Sequence, residues 1–97
     1  MVIWADPAKH DLHLIHDYIA QTSPYYAKKV IQNIVDKTKI LNQHSKIGKV
    51  VPEINNNNIR QLSLYSYRLF YEISDDQIVI LAIIHKRRDF KADELET

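Results

Sequence analysis

IRQLSLYSYRLFYEISDDQIVILAIIH, residues 59–85, falls into three runs separated by Tyr65-Ser66 and by Ser74-Asp75-Asp76. The runs IRQLSL, YRLFYEI and QIVILAIIH are rich in Ile, Leu, Tyr and Phe, and the interruptions carry turn residues. The spacing predicts three strands in an antiparallel meander. The last run is apolar without a break from Ile78 to Ile84, which suits a strand covered on both sides and central in its sheet. If both hairpins close with two-residue turns at 65–66 and 75–76, Leu64 lies beside Tyr67 and Ile73 beside Ile78, and strict alternation sorts the remaining side chains. One face then holds Leu62, Leu64, Tyr67, Leu69, Tyr71, Ile73, Ile78, Ile80, Ala82 and Ile84, a core face with Arg60 at its margin. The other collects Gln61, Ser63, Arg68, Phe70, Glu72, Val79, Leu81, Ile83 and His85, and a site is expected there.

Upstream the period becomes helical. Asp6-Pro7 reads as an N-cap followed by proline at the first helical position, where the missing N–H costs nothing. Ala8, Leu12, Ile15 and Ile19 then form one apolar face that runs out at Gln21-Thr22. Ser23-Pro24 repeats the cap-plus-proline signal, and Ala27, Val30, Ile31, Ile34 and Leu41 define a second amphipathic helix ending near Gln43. The tight connection makes these a helical hairpin. His44–Lys49 is a loop holding the only glycine, Gly48, and Pro52 with the run Asn55–Asn58 keeps the chain irregular up to Ile59. With Val2-Ile3-Trp4 as a short first strand, the expectation is an α+β fold of order β-α-α-β-β-β, one domain over residues 1–97, with the hairpin packed on one face of a small antiparallel sheet.

Composition narrows the chemistry. The 97 residues are 45% hydrophobic and 26% charged, enough apolar matter for a core and too much for a disordered tail. The absence of Cys removes a disulfide framework, a thiolate zinc site and a cysteine nucleophile, and a single Gly removes every Gly-rich phosphate loop. No cofactor is expected. No apolar run approaches the ~18 residues of a membrane span, and the start MVIWADPAKHD lacks the basic and apolar segments of a signal peptide; a cytoplasmic protein without membrane contact is expected. The net charge of +1 conceals an asymmetry, because DELET at 93–97 carries −3 and residues 1–92 therefore carry +4. HKRRDFK, residues 85–91, is the densest basic stretch, either an ordinary solvated segment or a face for an acidic partner or a polyanion.

In the assumed register Arg68 lies opposite Ile83 and shares a face with His85 at a diagonal separation of ~7 Å. An arginine fork holding a phosphate or carboxylate beside an imidazole able to exchange protons near neutral pH would be a reactive pair. The alternative is that Arg68 pairs with Glu72 or a backbone carbonyl and His85 merely ends the strand. His10, His13 and Asp17 share the solvent face of the first helix, but ligands there lack the dry, shaped cavity of a purposeful metal site, so no metal is expected. Ile40, Val79 and Leu81 fall outside the apolar stripes, leaving surface for a partner.

Taken in order, VIWADPAKHDLHLIHDYIA, SPYYAKKVIQNI, GKVVPEI, IRQL, YRLFYEI and IVILAIIHKRRD resemble the RelE/ParE superfamily of toxins from bacterial type II toxin-antitoxin modules over nearly the whole chain. The resemblance implies two helices on a small antiparallel sheet. It also implies a cognate antitoxin that wraps the toxin in a hetero-oligomer. RelE-like members are similar to RNases that cleave mRNA on the ribosome, whereas ParE-like members inhibit DNA gyrase. Arg68 matches the phosphate-holding arginine of the RNases, Arg87 stands near a second one, and a Glu-Arg-His variant maps onto Glu53, Arg68 and His85. The departures are Ile59 and Gln61 where the RNase pattern has two lysines, Lys86 where that variant has tyrosine, and no tyrosine after Tyr71. The ending HKRRD is closer to the ParE-like branch. That branch implies gyrase inhibition with Arg60, Lys86, Arg87 and Arg88 meeting the target; a ribosome-dependent endoribonuclease is the alternative.

Overall fold

The computed structural model describes residues 1–87 and has the expected α+β order. β1 (Val2–Trp4) leads into α1 (Asp6–Ala20) and α2 (Pro24–Thr38), which continues as a 3₁₀ turn over Lys39–Asn42; β2 (Lys49–Val50), β3 (Ile59–Leu64), β4 (Tyr67–Ile73) and β5 (Ile78–His85) complete the chain. The sheet order is β1-β5-β4-β3-β2. β5 is an interior strand, as its unbroken apolar run requires. The sheet gains β2, and it is mixed rather than wholly antiparallel, since β1 pairs parallel to β5 through Val2–Ile78 and Trp4–Ile80. Both helices carry a proline in the first turn, Pro7 in α1 and Pro24 in α2. Ser23 caps α2 by accepting from the Tyr26 N–H at 3.1 Å, whereas at α1 the cap position is Ala5 and Asp6 makes no capping bond.

Both hairpins close as expected. Leu64 pairs with Tyr67 and Ile73 with Ile78, and Ser74 and Gln77 exchange backbone bonds around Asp75-Asp76. The alternation beyond Ile80 does not hold. Tyr71 pairs with Ile80 but Phe70 pairs with Ala82, so Leu81 is an extra residue in β5, a bulge that reverses the facing of everything after it. Ile83 joins Ala8, Ile15, Val30, Ile34, Leu69, Tyr71 and Ile80 in the core beneath the helices. Ala82 and Ile84 go to the opposite face, where they form a second cluster with Val51, Phe70 and Leu81. An apolar run has no polar positions with which to penalise a slip, so either register buries the same kind of side chain. Two interactions hold the slipped one: the covering segment around fully buried Val51, and the Asp11 carboxylate of α1, which accepts from the Ile83 N–H at 3.0 Å.

The chain between α2 and β3 is tied down by polar bonds from the sheet. Buried Tyr71 donates its hydroxyl to the Ser45 carbonyl at 2.7 Å and accepts from the Gly48 N–H at 2.9 Å. Glycine is required at 48 by close approach, because a Cβ there would lie 2.6 Å from both the Gln61 carbonyl oxygen and the Tyr71 hydroxyl. Arg60 donates to the carbonyls of Asn57, Gly48 and Lys46 at 3.0, 2.9 and 3.3 Å.

Tyr71→Phe leaves a buried N–H and carbonyl unpaired and should cost about 1–3 kcal/mol of unfolding free energy. Gly48→Ala, which forces backbone apart, should cost at least as much. Urea denaturation reads both, and a loss of under about 0.5 kcal/mol, the range of a neutral surface change, would show that the loop is not anchored this way.

Candidate functional site

The bulge decides which groups meet. Arg68 on β4 pairs with Ile84, and His85 pairs with Tyr67. Because neighbouring residues of a strand face opposite ways, Arg68 points to the face covered by the 51–54 segment and His85 to the helix face. The expected convergence of Arg68 with His85 is therefore absent, and Leu81 is the cause. Glu53 and Arg68 do meet, and the partner of Arg68 is Glu53 rather than Glu72.

Arg68 is held on several sides. Its two terminal nitrogens donate to the two Glu53 carboxylate oxygens at 3.0 Å each, and its Nε donates to Gln61 Oε1 at 2.7 Å. The guanidinium carbon sits 4.9 Å from the centroid of the Phe70 ring, a cation–π distance. The forked hydrogen bond from Arg68 holds the Glu53 carboxyl below the ordinary carboxylate value, against a smaller opposing effect of burial. A depression of about 370 Å³ lies over this pair, lined by Pro52, Glu53, Gln61, Ser63, Arg68 and Lys86.

His85 stands in a different place. Its ring meets Tyr67 edge-on at 5.5 Å and 82°, and its Nδ1 accepts from the Arg87 N–H at 3.1 Å. It closes one end of a groove of about 510 Å³ between the helical hairpin and the β3–β4 turn, with Leu14, Tyr18, Tyr26, Tyr65 and Tyr67 among its walls. Tyr18 is 72% exposed, Leu14 52%, Tyr26 50% and Tyr65 48%, an apolar patch that the helix periodicity did not reveal because these residues sit off the buried stripes. Burial, and secondarily Tyr18, push the Tyr67 phenol up. Tyr65 has φ 55, a left-handed turn position that favours glycine or asparagine, and its hydroxyl accepts from Asn33 Nδ2 of α2 at 2.7 Å.

The remaining expected residues are scattered. Arg60 is engaged with loop carbonyls. Lys86 lines the Arg68 depression, and Arg87 is exposed in the turn after β5. Arg88 lies outside the described residues. Val79 and Leu81 are covered by the second cluster and Ile40 packs on the first, so the exposed apolar surface expected from them is found instead at the tyrosine groove. On α1 the Asp17 carboxylate bonds His13 at 3.3 Å and His16 at 3.2 Å; among the described residues no group of three His, Cys, Asp or Glu is placed to hold a metal ion. No described helix is long and apolar enough to cross a membrane.

Comparisons with known proteins agree with this architecture. Residues 2–90 match the family model described as the ParE toxin of the type II toxin-antitoxin system parDE. A solved structure described as a chromosomal ParDE toxin-antitoxin system from P. aeruginosa superposes with a TM-score of 0.73 at 29% identity, covering 87% of this chain and 92% of that one. A search of curated protein sequences returns no match.

The Glu53–Arg68 pair fixes a pH dependence. A carboxylate whose folded value is lowered contributes stability that is fully present above its unfolded value of about 4.5 and is lost as pH falls through the folded value. The Glu53 carboxyl resonance should titrate below the ordinary range in wild type and return to it in Arg68→Gln. A titration at the ordinary value in wild type would mean the pair does not form in solution.

Proposed function

The chain belongs to the ParE toxin family of type II toxin-antitoxin systems, and on that premise we propose that it arrests growth by inhibiting DNA gyrase until an antitoxin neutralises it. The observation that carries this reading is the separation of Arg68 from His85 across the sheet. Cleavage of RNA to a cyclic phosphate needs a base for the 2′-hydroxyl, positive charge at the phosphate and an acid for the leaving oxygen, within hydrogen-bond reach of one another. Here the cation and its neighbouring carboxylate neutralise each other, and the imidazole faces away. Such an arrangement supports inhibition by binding rather than by hydrolysis.

The target-binding element in this reading is the basic segment that leaves β5, with Lys86 and Arg87 exposed and Arg88 beyond them, while Arg60 acts from within the fold. Like charges concentrated at a strand end steer the protein to an acidic or DNA-bearing surface. The antitoxin fits the tyrosine groove. Tyrosines give large contact area at low conformational cost and are enriched among residues that dominate interfaces, and a largely disordered antitoxin segment that folds on binding would cover such a groove.

Charge reversal at Lys86, Arg87 and Arg88 together should abolish inhibition of DNA supercoiling by purified gyrase while leaving the fold intact. If unmodified protein at high excess leaves supercoiling untouched, gyrase is not the target. For the antitoxin, Tyr18→Ala combined with Tyr65→Ala should weaken the complex by at least roughly thirtyfold, the effect of losing one interface anchor, as read by calorimetry; unchanged affinity would place the antitoxin elsewhere.

A further inference from the structure

The tyrosine groove offers hydrogen-bond donors, and none of its lining residues is a carboxylate. At its sheet end the polar wall is His85 with Tyr67 and Tyr18. The Arg87 N–H donates to His85 Nδ1 at 3.1 Å. A backbone amide can only donate, so Nδ1 is the unprotonated nitrogen and the proton of the neutral ring sits on Nε2. His85 is therefore a donor at Nε2 in either charge state. Its ring stands edge-on to Tyr67 at 5.5 Å, and Tyr18 is near enough for its charge to be felt by the Tyr67 phenol. Among the described residues neither the Tyr18 nor the Tyr67 hydroxyl has a hydrogen-bond partner. The acceptors close by are already engaged. The Ser66 carbonyl receives the Lys86 N–H at 2.8 Å, and the carboxylate of Asp17, which precedes Tyr18 on α1, bonds His13 and His16.

We propose that this corner selects an acidic side chain: the segment that docks in the groove carries a carboxylate, seated at His85, Tyr67 and Tyr18, with an apolar side chain beside it against Leu14 and Tyr26. The inference rests on the reading of the groove as the antitoxin's docking surface and adds the chemistry by which that surface chooses its occupant. A carboxylate accepts from several donors at once, and bonds to an ionised acceptor are roughly twice as strong as neutral ones. Arg87, exposed and two residues beyond His85, adds positive potential close by. An uncharged segment laid over the same corner leaves donors covered and unpaired, a penalty that rejects it. Selection for the acid therefore comes from attraction and exclusion together.

The test uses probes that carry only the features in question: phenylpropionate, its neutral counterpart phenylpropionamide, and acetate as the charge without the ring. Each is titrated into the isotope-labelled full chain and followed by NMR. The acid should bind about tenfold more tightly than the amide, with shifts centred on Leu14, Tyr18, Tyr67 and His85, and acetate at the same concentration should leave those resonances in place. His85→Phe keeps a ring against Tyr67 but removes the donor, and Tyr67→Phe removes one hydroxyl. Each should cut the preference for the acid to about threefold or less, and the two together should abolish it while the amide binds as before. Tyr18→Phe, at an exposed position, takes the place of Tyr67→Phe if that variant fails to fold. Equal affinity for acid and amide overturns the proposal, as does an acid preference that survives the double variant, acetate binding as tightly as the aromatic acid, or no binding of the acid at all. The calorimetric test of the antitoxin complex fails or succeeds separately. An antitoxin that docks elsewhere leaves the probe titrations as they are, and a groove indifferent to charge leaves the antitoxin's docking there standing.

Discussion

The insertion of Leu81 into β5 is the constraint on which the rest of the molecule turns. Without it, Ile83 and His85 would leave the helix face and Ala82 and Ile84 would enter it, exchanging the side chains of the main core for those of the second cluster. A slip of one residue in an apolar run costs little in burial, so it must be held by directional bonds. Asp11 supplies one. Its carboxylate reaches from α1 to the Ile83 N–H on the margin of β5 that β1, which pairs only with Ile78–Ile80, leaves open. Bonds to a charged acceptor contribute about 1.5–3 kcal/mol, comparable to burying one large side chain, which is enough to select one of two otherwise similar registers.

Both faces of the sheet are consequently covered, but by different means. The helix side is closed by shape, with the stripes of Ala8, Ile15, Val30 and Ile34 seated on Leu69, Tyr71 and Ile80. The opposite side is closed by the strap of chain that follows β2, with Val51 buried in the second cluster and its N–H bonded to the Ile59 carbonyl, and with Glu53 paired to Arg68. The difference sets where each surface can take part in chemistry. The helix side ends in an aromatic opening where the hairpin of helices stops short of the β3–β4 turn, and the strap side ends in a charged depression.

Most of the fold was legible because its signals are local. Proline-led helix starts, the two hairpin turns and the change of period at Ile59 each depend on a few neighbouring residues, and each has its counterpart in the structure. The bulge was not legible, because IVILAII satisfies both registers equally and the deciding bond comes from Asp11, 72 residues earlier in the chain. The same cause hid the true arrangement of the site. Arg68 was identifiable as a side chain off the core face, but its partner was not: alternation offered Glu72, Glu53 entered only through the family resemblance, and the irregular segment that carries Glu53 to Arg68 has no period to read; His85 was assigned to the wrong side as soon as alternation was carried past Ile80. The tyrosine groove was hidden for a different reason: Tyr18, Tyr26 and Tyr65 lie on three separate elements, and only the packing of the helical hairpin against the sheet brings them together.

Tyr65 sits where backbone and side chain want different residues. A bulky residue in the left-handed region costs on the order of 1 kcal/mol relative to glycine, and its φ of 55 at the tip of a two-residue hairpin is a position that selection for stability alone would hand to glycine or asparagine. That strain is set against what the ring supplies, a hydroxyl bonded to Asn33 of α2 and one wall of the groove beside the helices. Exchange for glycine would relieve the backbone and erase that bond and that wall in one step, so at this position a gain in stability and the shape of the groove are traded directly against each other.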